Sequence, residues 1–404
     1  MLSSGCATLG EPSRAPLDDE TALSPSTTLR RRQAQERRQK KRRRWLLVSV
    51  LALTATAAGA AVWVDADELG QAEERVATRP ARRAHRAIPP HGPVQGAILI
   101  ADRGNDRILL VNQQGATLWW FPTPGDKRRG VHLNYNDDAF VAAGGHAIVA
   151  NEEDAHTIVS IDIKTHDRVH LYGQPGVLGS GPGLLHTPDD AYPLPNGDIV
   201  VADAYNCRVI WVRAHHIIRQ LGTTDVCTHD PPRAFGAVNG DTPLADGGLL
   251  VSEIDGHWVD QIGPNGKLLW AVQAPVRYPS DPQPLQRGLV LVADYSRPGH
   301  VIVMNHRGRV FWRYGPTSGP GMLDHPSLAI KLPDGNIAVN DDFRHRVVVI
   351  DPKARKIVWQ YGHTDVAAKK AGFLNTPDGM DFVPLDAHGH PLWAQVHHPA
   401  PAGP

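Results

Sequence analysis

The strongest constraint on this chain is a pattern that returns six times. A short apolar run closes on an acidic residue, a turn follows, and a second apolar run begins within a few residues. The copies are "ILIADRGNDRILLVN" from Ile98, "IVANEEDAHTIVSID" from Ile148 and "IVVADAYNCRVIWVR" from Ile199. They continue with "LLVSEIDGHWVDQIG" from Leu249, "VLVADYSRPGHVIVMN" from Val290 and "IAVNDDFRHRVVVID" from Ile337. The closing acids are Asp102, Glu152, Asp203, Glu253, Asp294 and Asp341, at intervals of 41 to 51 residues. Each copy adds a third run, such as "GATLWWF", "GRVFWRYG" or "RKIVWQYG", and a fourth run precedes the next copy, as in "DDAYPLP".

Four short strands per unit, at this period, predict an all-β fold: a six-bladed β-propeller over residues 93–396. No long amphipathic helix separates the copies, which argues against alternating βα units. One blade alone leaves an apolar face bare, so the units must stack in a ring, which also removes free sheet edges. The first copy has no inner strand before it, and the last is followed by "NTPDGMDFVPL", an inner-strand pattern without a blade of its own. The C-terminal stretch is therefore expected to complete the N-terminal blade. The place of "HGHPLWAQV" after it stays open.

Repetition separates structural from functional residues, because a brace is needed in every blade and a catalytic group only once. Arg107, Arg208 and Arg346 lie five positions after Asp102, Asp203 and Asp341. A bidentate Asp–Arg pair bracing each strand turn is the expected role. Trp120, Trp270, Trp312 and Trp359 recur in the third runs and are expected to pack between blades.

Outside the repeats, the chain of 404 residues carries 42 basic and 42 acidic side chains, so its total charge gives no sign of a nucleic-acid groove. Ten Lys or Arg crowd into "RRRQAQERRQKKRRR", Arg30 to Arg44, directly before the uncharged "WLLVSVLALTATAAGAAVWV", Trp45 to Val64. Twenty such residues span about 30 Å as a helix, enough for a bilayer core. The basic flank predicts a single-pass signal-anchor in the cell membrane, with the N-terminus cytoplasmic and the propeller outside. A cleaved signal peptide is the rival, since "ATAAGAA" is rich in small residues, but 44 residues is long for its basic region. Residues 1–44 and 397–404 read as disordered and 65–92 as a linker. Cys207 and Cys227 then share an oxidising compartment, where a disulfide and two free thiols are both open.

Candidate site residues come from the segments expected to line the channel. "VHLNYNDDAF", "LLHTPDDAYPLP", "LDHPSLAIKLP" and "LNTPDGMDFVP" hold His132, His186 and His325 with Asp137, Asp189, Asp190, Asp324, Asp378 and Asp381. Three histidines suit zinc, whereas a carboxylate cluster suits calcium.

The units resemble NHL-type repeats, whose pattern is a Pro, an inner strand, a D/N-G turn, a "V-x-V-A-D" strand and "N-x-R-[IV]"; "HTPDDAYPLPNGDIVVADAYNCRVIWV" is the nearest copy. "VVVIDPKARKIVWQYG" also resembles blades of quinoprotein-like and arylsulfotransferase-like propellers. The NHL resemblance implies a platform for a protein, glycan or small-molecule ligand, without assigning catalysis. Arylsulfotransferase-like enzymes use His and Arg around the channel, which would implicate His186, His325 and Arg208. Amidating lyases on a similar scaffold place zinc histidines directly after the inner-strand proline. Here Asp189, Ser327 and Asp378 stand there, although Tyr205 falls where that family has a catalytic tyrosine. The expectation is an extracytoplasmic binding platform. The alternative is a propeller enzyme, arylsulfotransferase-like or a metal-dependent lyase or hydrolase, with a channel site near the three histidines.

Overall fold

The computed structural model describes residues 93–396; the expected cytoplasmic segment, the apolar span 45–64, the linker and the tail from 397 lie outside them. Among the described residues no helix is long and apolar enough to cross a membrane.

Six antiparallel sheets follow one another along the chain. The first joins β1 (Ala97–Asp102), β2 (Arg107–Asn112) and β3 (Thr117–Phe121), with a short helix α1 (Pro124–Arg128) after it. The second is β4 (Asn136–Val141), β5 (Ala147–Glu152), β6 (Thr157–Asp162) and β7 (Arg168–Gly173). The third is β8 (Pro188–Pro193), β9 (Ile199–Asp203), β10 (Arg208–Arg213) and β11 (His216–Leu221). The fourth has β12 (Leu249–Glu253), β13 (Trp258–Ile262) and β14 (Leu268–Gln273). Its inner segment is irregular but still bonded: Leu250 N–H donates to Thr242 and Ser252 N–H to Gly240. The fifth runs β15 (Pro279–Leu285), β16 (Leu289–Asp294), β17 (His300–Asn305) and β18 (Val310–Tyr314). The sixth is β19 (Ala329–Lys331), β20 (Ile337–Asp341), β21 (Arg346–Asp351) and β22 (Lys356–Gly362).

The ring closes through β23 (Pro377–Val383), which pairs antiparallel with β1, Ile98 opposite Phe382 and Ile100 opposite Met380. The first blade is thus built from both ends of the propeller. Beyond it, "HGHPLWAQV" adds no long strand; Trp393 packs edge-on against Trp119, and Val396 is buried in the core of the first two blades.

Each repeated acid holds the lead-in to an inner strand. Asp102 accepts from Asn375 N–H, Glu152 from Asn134, Asp203 from His186, Glu253 from Gly236, Asp294 from Arg277 and Asp341 from Asp324. A buried carboxylate so satisfied ties the second strand to the segment entering the axis. The Asp–Arg pairs are one-armed rather than bidentate. Arg107, Arg208 and Arg346 each use Nε, at 2.6–2.7 Å. Their outer nitrogens go elsewhere, as with Arg107 to the carbonyls of Lys369 and Phe373. Fork-to-fork pairing is not available because the second carboxylate oxygen is taken by the backbone.

The tryptophan expectation needs one change of residue. Trp119, Trp312 and Trp359 donate across blade boundaries to the carbonyls of Ile163, Pro352 and Gln113. Trp120 is 41% exposed. Adjacent strand residues face opposite ways, so only one of the pair reaches the neighbouring blade. Trp270 bonds Gln261 within its own blade.

Cys207 and Cys227 form a disulfide, Cα atoms 5.2 Å apart, closing a loop over 20 residues at the rim of the third blade. Replacing both by serine is expected to cost about 3 kcal/mol through the loosened unfolded chain. A urea midpoint equal to that of the parent protein would refute a stabilising role.

Candidate functional site

The site is built where the inner strands begin. The chain enters several of them through a non-glycine residue in the left-handed region: Tyr135 (φ 53°), Thr187 (φ 58°), His325 (φ 56°) and Thr376 (φ 50°). Each costs on the order of 1 kcal/mol. Irregular pairing follows, between Asn136 and Ala139, Pro188 and Asp190, and Ser280 and Gln283. On a regular strand consecutive side chains point to opposite faces. A bulge re-aims one of them. It accounts for consecutive carboxylates, Asp137 with Asp138 and Asp189 with Asp190, entering the same interior. Two glycines make room for this: a Cβ on Gly379 would overlap the carboxylate of Asp138, and one on Gly240 that of Asp281.

The carboxylates fall into two groups. In the first, Arg103 pairs with Asp137, with Asp378 at 2.5 Å and with Glu153 at 3.3 Å, while Asp342 lies 3.9 Å away. The guanidinium also lies 4.9 Å from the centre of the Tyr135 ring. Burial alone would lower the affinity of Arg103 for its proton, but Asp378 and Asp137 override it and hold the group above its ordinary range. Asp189 accepts from Asn239, whose amide also reaches the Tyr278 hydroxyl at 3.3 Å.

The second group is Asp138, Asp190, Asp241 and Asp281, all buried. Asp190 and Asp281 share a hydrogen bond between their carboxyl groups, whereas Asp138 Oδ1 and both oxygens of Asp241 have no hydrogen-bond partner among the described residues. Burial pushes Asp138, Asp190 and Asp241 well above the usual carboxylate range, and the charge of Asp281 pushes each further. Asp281 itself is pushed up to about 7 by burial and by Asp378. This arrangement favours either retained protons or a bound cation.

Aromatic rings surround the approach. Tyr295 meets Tyr278 at 5.2 Å and His325 at 5.0 Å between ring centres, and Phe343 lies 4.4 Å from His325. Phe343 is 45% exposed, which makes it an accessible part of this rim.

Of the residues singled out in the sequence, Asp137 and Asp378 meet on Arg103, Asp189 and Asp190 belong to the carboxylate groups, and Asp381 accepts from Val141 N–H in the next blade. The three histidines lie apart in their contacts. His132 is exposed. His186 packs against Tyr205 and His156, and burial lowers its proton affinity. His325 bonds Asp324. Arg208 is occupied as the brace of Asp203. Among the described residues the one His/Cys/Asp/Glu group with converging ligand atoms is His229, Glu253 and Asp260, which includes none of the expected histidines.

Sequence reasoning missed Arg103, Glu153, Tyr295 and Asp342. All four directly follow a repeated acid, at a position that reads Arg, Glu, Ala, Ile, Tyr and Asp around the six copies. That divergence beside a repeated brace was the available signal.

The family model for the outer membrane protein assembly factor BamB matches residues 195–372, somewhat under half of the chain. This match does not name the NHL-repeat family. No curated protein sequence matches. Among solved structures, a protein of unknown function from Bacteroides caccae is 20% identical, covering 70% of this chain and 97% of its own, with a TM-score of 0.50. A chain of a nidogen/laminin complex is 12% identical over the same shares, also at 0.50. A streptogramin B lyase is 17% identical over 74% of this chain and 89% of its own, at 0.47. The two likenesses at 0.50 agree with the propeller fold.

Proposed function

We propose that the protein is a binding platform, held outside the cytoplasm by the segment 45–64, whose axial face captures a cationic group. The observation that carries this reading is the second carboxylate group: four buried aspartates, two of them bonded only to each other's carboxyl group or a backbone N–H, and three further oxygens, Asp138 Oδ1 and both of Asp241, without a partner among the described residues. A buried carboxylate without a partner is costly, and a cation relieves that cost. The aromatic rim around Tyr295 and Phe343 adds ring faces suited to a cation's approach. The disulfide supports an oxidising compartment. The partial match to an outer membrane assembly factor supports a partner-binding role.

Calcium and a protonated amine are both cations that these aspartates' charge would attract; the aspartates' ligand atoms do not converge as those of His229, Glu253 and Asp260 do, which favours an extended polyamine. Calorimetric titration of the full chain with calcium chloride and, separately, with spermidine distinguishes them. Binding of either is expected to strengthen as pH rises through about 7, because Asp281 is pushed up to about 7 and the cation displaces its proton. The paired substitutions Asp190→Asn and Asp281→Asn are expected to weaken it at least tenfold. No heat from either probe, with unchanged melting temperature, would refute the cation-binding reading.

One observation favours an enzyme as the second reading. The rings of His186 and Tyr205 lie 5.4 Å apart, and burial favours a neutral imidazole. A neutral imidazole beside a tyrosine suits proton transfer in a lyase or hydrolase. Tyr205→Phe would abolish turnover in that case and leave cation binding intact.

A further inference from the structure

The fourth blade departs from the other five at one buried place. In the antiparallel register of second and third strands, the residue two before the repeated acid faces an apolar partner in five blades. The pairs are Ile100 with Leu109, Ala150 with Val159, Val201 with Ile210, Val292 with Ile302 and Val339 with Val348. In the fourth blade Val251 faces Asp260. Asp260 is fully buried; among the described residues no N–H or hydroxyl donates to either of its oxygens, and its side-chain partner is a second carboxyl group, that of Glu253. Burying one carboxyl group against another is costly where the fold elsewhere takes an aliphatic side chain.

The neighbours of Asp260 are equally particular. Glu253 lies opposite Trp258, where three other blades place the bracing arginine. Side chains alternate along a strand, so Trp258, Asp260 and Glu253 share one face. His229 supplies what the missing arginine does not. Its Nδ1 sits 2.8 Å from Glu253 Oε1, and its ring stacks on Trp258 with centres 3.8 Å apart. His229 is on the loop that the Cys207–Cys227 disulfide fastens to the blade, two residues beyond Cys227. Its side chain is about a quarter exposed, which leaves a way in from solvent.

We infer that His229, Glu253 and Asp260 form a divalent metal site of the zinc class in the fourth blade. Their ligand atoms lie within 4.8 Å of one another. One imidazole nitrogen and two carboxylates suit zinc, whose fourth position water can fill; calcium and magnesium prefer oxygen donors throughout. The ion replaces the arginine of the other braces as the positive charge at this strand turn. It also explains why two buried carboxyl groups, Asp260 and Glu253, are set against each other at this turn. The fastened loop pre-positions His229, so little ordering accompanies binding.

The test compares the full chain with Asp260→Leu, which restores the aliphatic residue of the other blades and is therefore expected to fold. Both are dialysed against chelator, then titrated with zinc chloride at pH 7.5, with melting temperature and bound zinc by mass spectrometry as readouts. The parent protein is expected to bind one more zinc than Asp260→Leu and to show a zinc-dependent rise in melting temperature that the variant lacks. His229→Ala is expected to weaken that zinc at least tenfold. In chelator, Asp260→Leu is expected to melt above the parent. Equal zinc stoichiometry and equal thermal shifts in parent and variant overturn the site and leave a shared proton between Glu253 and Asp260. The axial aspartates are untouched by these variants, so failure here and failure of axial cation binding are separate results.

Discussion

A chain ending at Leu374 is expected to lose cooperative unfolding altogether. The missing β23 is the inner strand of a blade whose other three strands come from the N-terminal end of the propeller. Without it, β1 presents an open edge to the axis, and the backbone pairs from Ala97–Val383 to Asp102–Pro377 are gone. Met380 and Val383 leave the core, each worth roughly 1.5–3 kcal/mol of burial. Asp381 no longer receives Val141 N–H in the second blade, and Asn375 no longer caps Asp102. Together these losses rival a total stability of about 5–15 kcal/mol. Circular dichroism during a thermal ramp should show a broad drift in place of one transition. Adding a synthetic peptide of residues 375–404 should restore part of the transition, because the latch is non-covalent. A truncated chain that melts like the parent would show that closure contributes nothing.

That latch was legible because it follows from a count: six copies, one lacking an inner strand and one inner strand left over. The strand turns were legible for the same reason, since Asp102, Asp203 and Asp341 recur with their arginines. What repetition hides is geometry. Trp120 and Trp119 are adjacent letters, and only strand register says that Trp119 is the one bonded to Ile163. The Asp–Arg pairs became one-armed because a backbone N–H from another segment claims the second oxygen, and no local pattern carries that information. The site was half visible. Asp137, Asp189, Asp190 and Asp378 stood out as charges in segments expected to be buried. Arg103 did not, because it sits inside a repeat whose pattern marks its residues as structural. Asp260 was overlooked for the same reason. In both cases the useful signal was the odd letter within an aligned set of copies.

Arg103→Met is the single substitution expected to matter most, because it removes the charge that keeps four carboxylates compatible. Asp137, Asp378, Glu153 and Asp342 would face one another with their shared cation gone. Taking away one member of a buried ion pair costs about 3–5 kcal/mol at neutral pH. The pH dependence identifies the cause. Burial already raises Asp137 and Asp342 above the ordinary range, and Arg103 opposes that rise in both. In the variant their folded values climb further above the unfolded ones. An acid raised on folding contributes stability below its unfolded value, about 4, and loses it as pH climbs through its folded value. The deficit of Arg103→Met is therefore expected to be smallest near pH 4 and to widen towards pH 8. A pure packing defect would give the same deficit at both ends. Denaturant midpoints at pH 4.5, 6 and 8 decide between them. Adding Asp378→Asn should recover part of the loss at pH 8 and little at pH 4.5. Recovery that is independent of pH would mean that Arg103 serves this axis by shape, and that charge balance does not govern what the axis accepts.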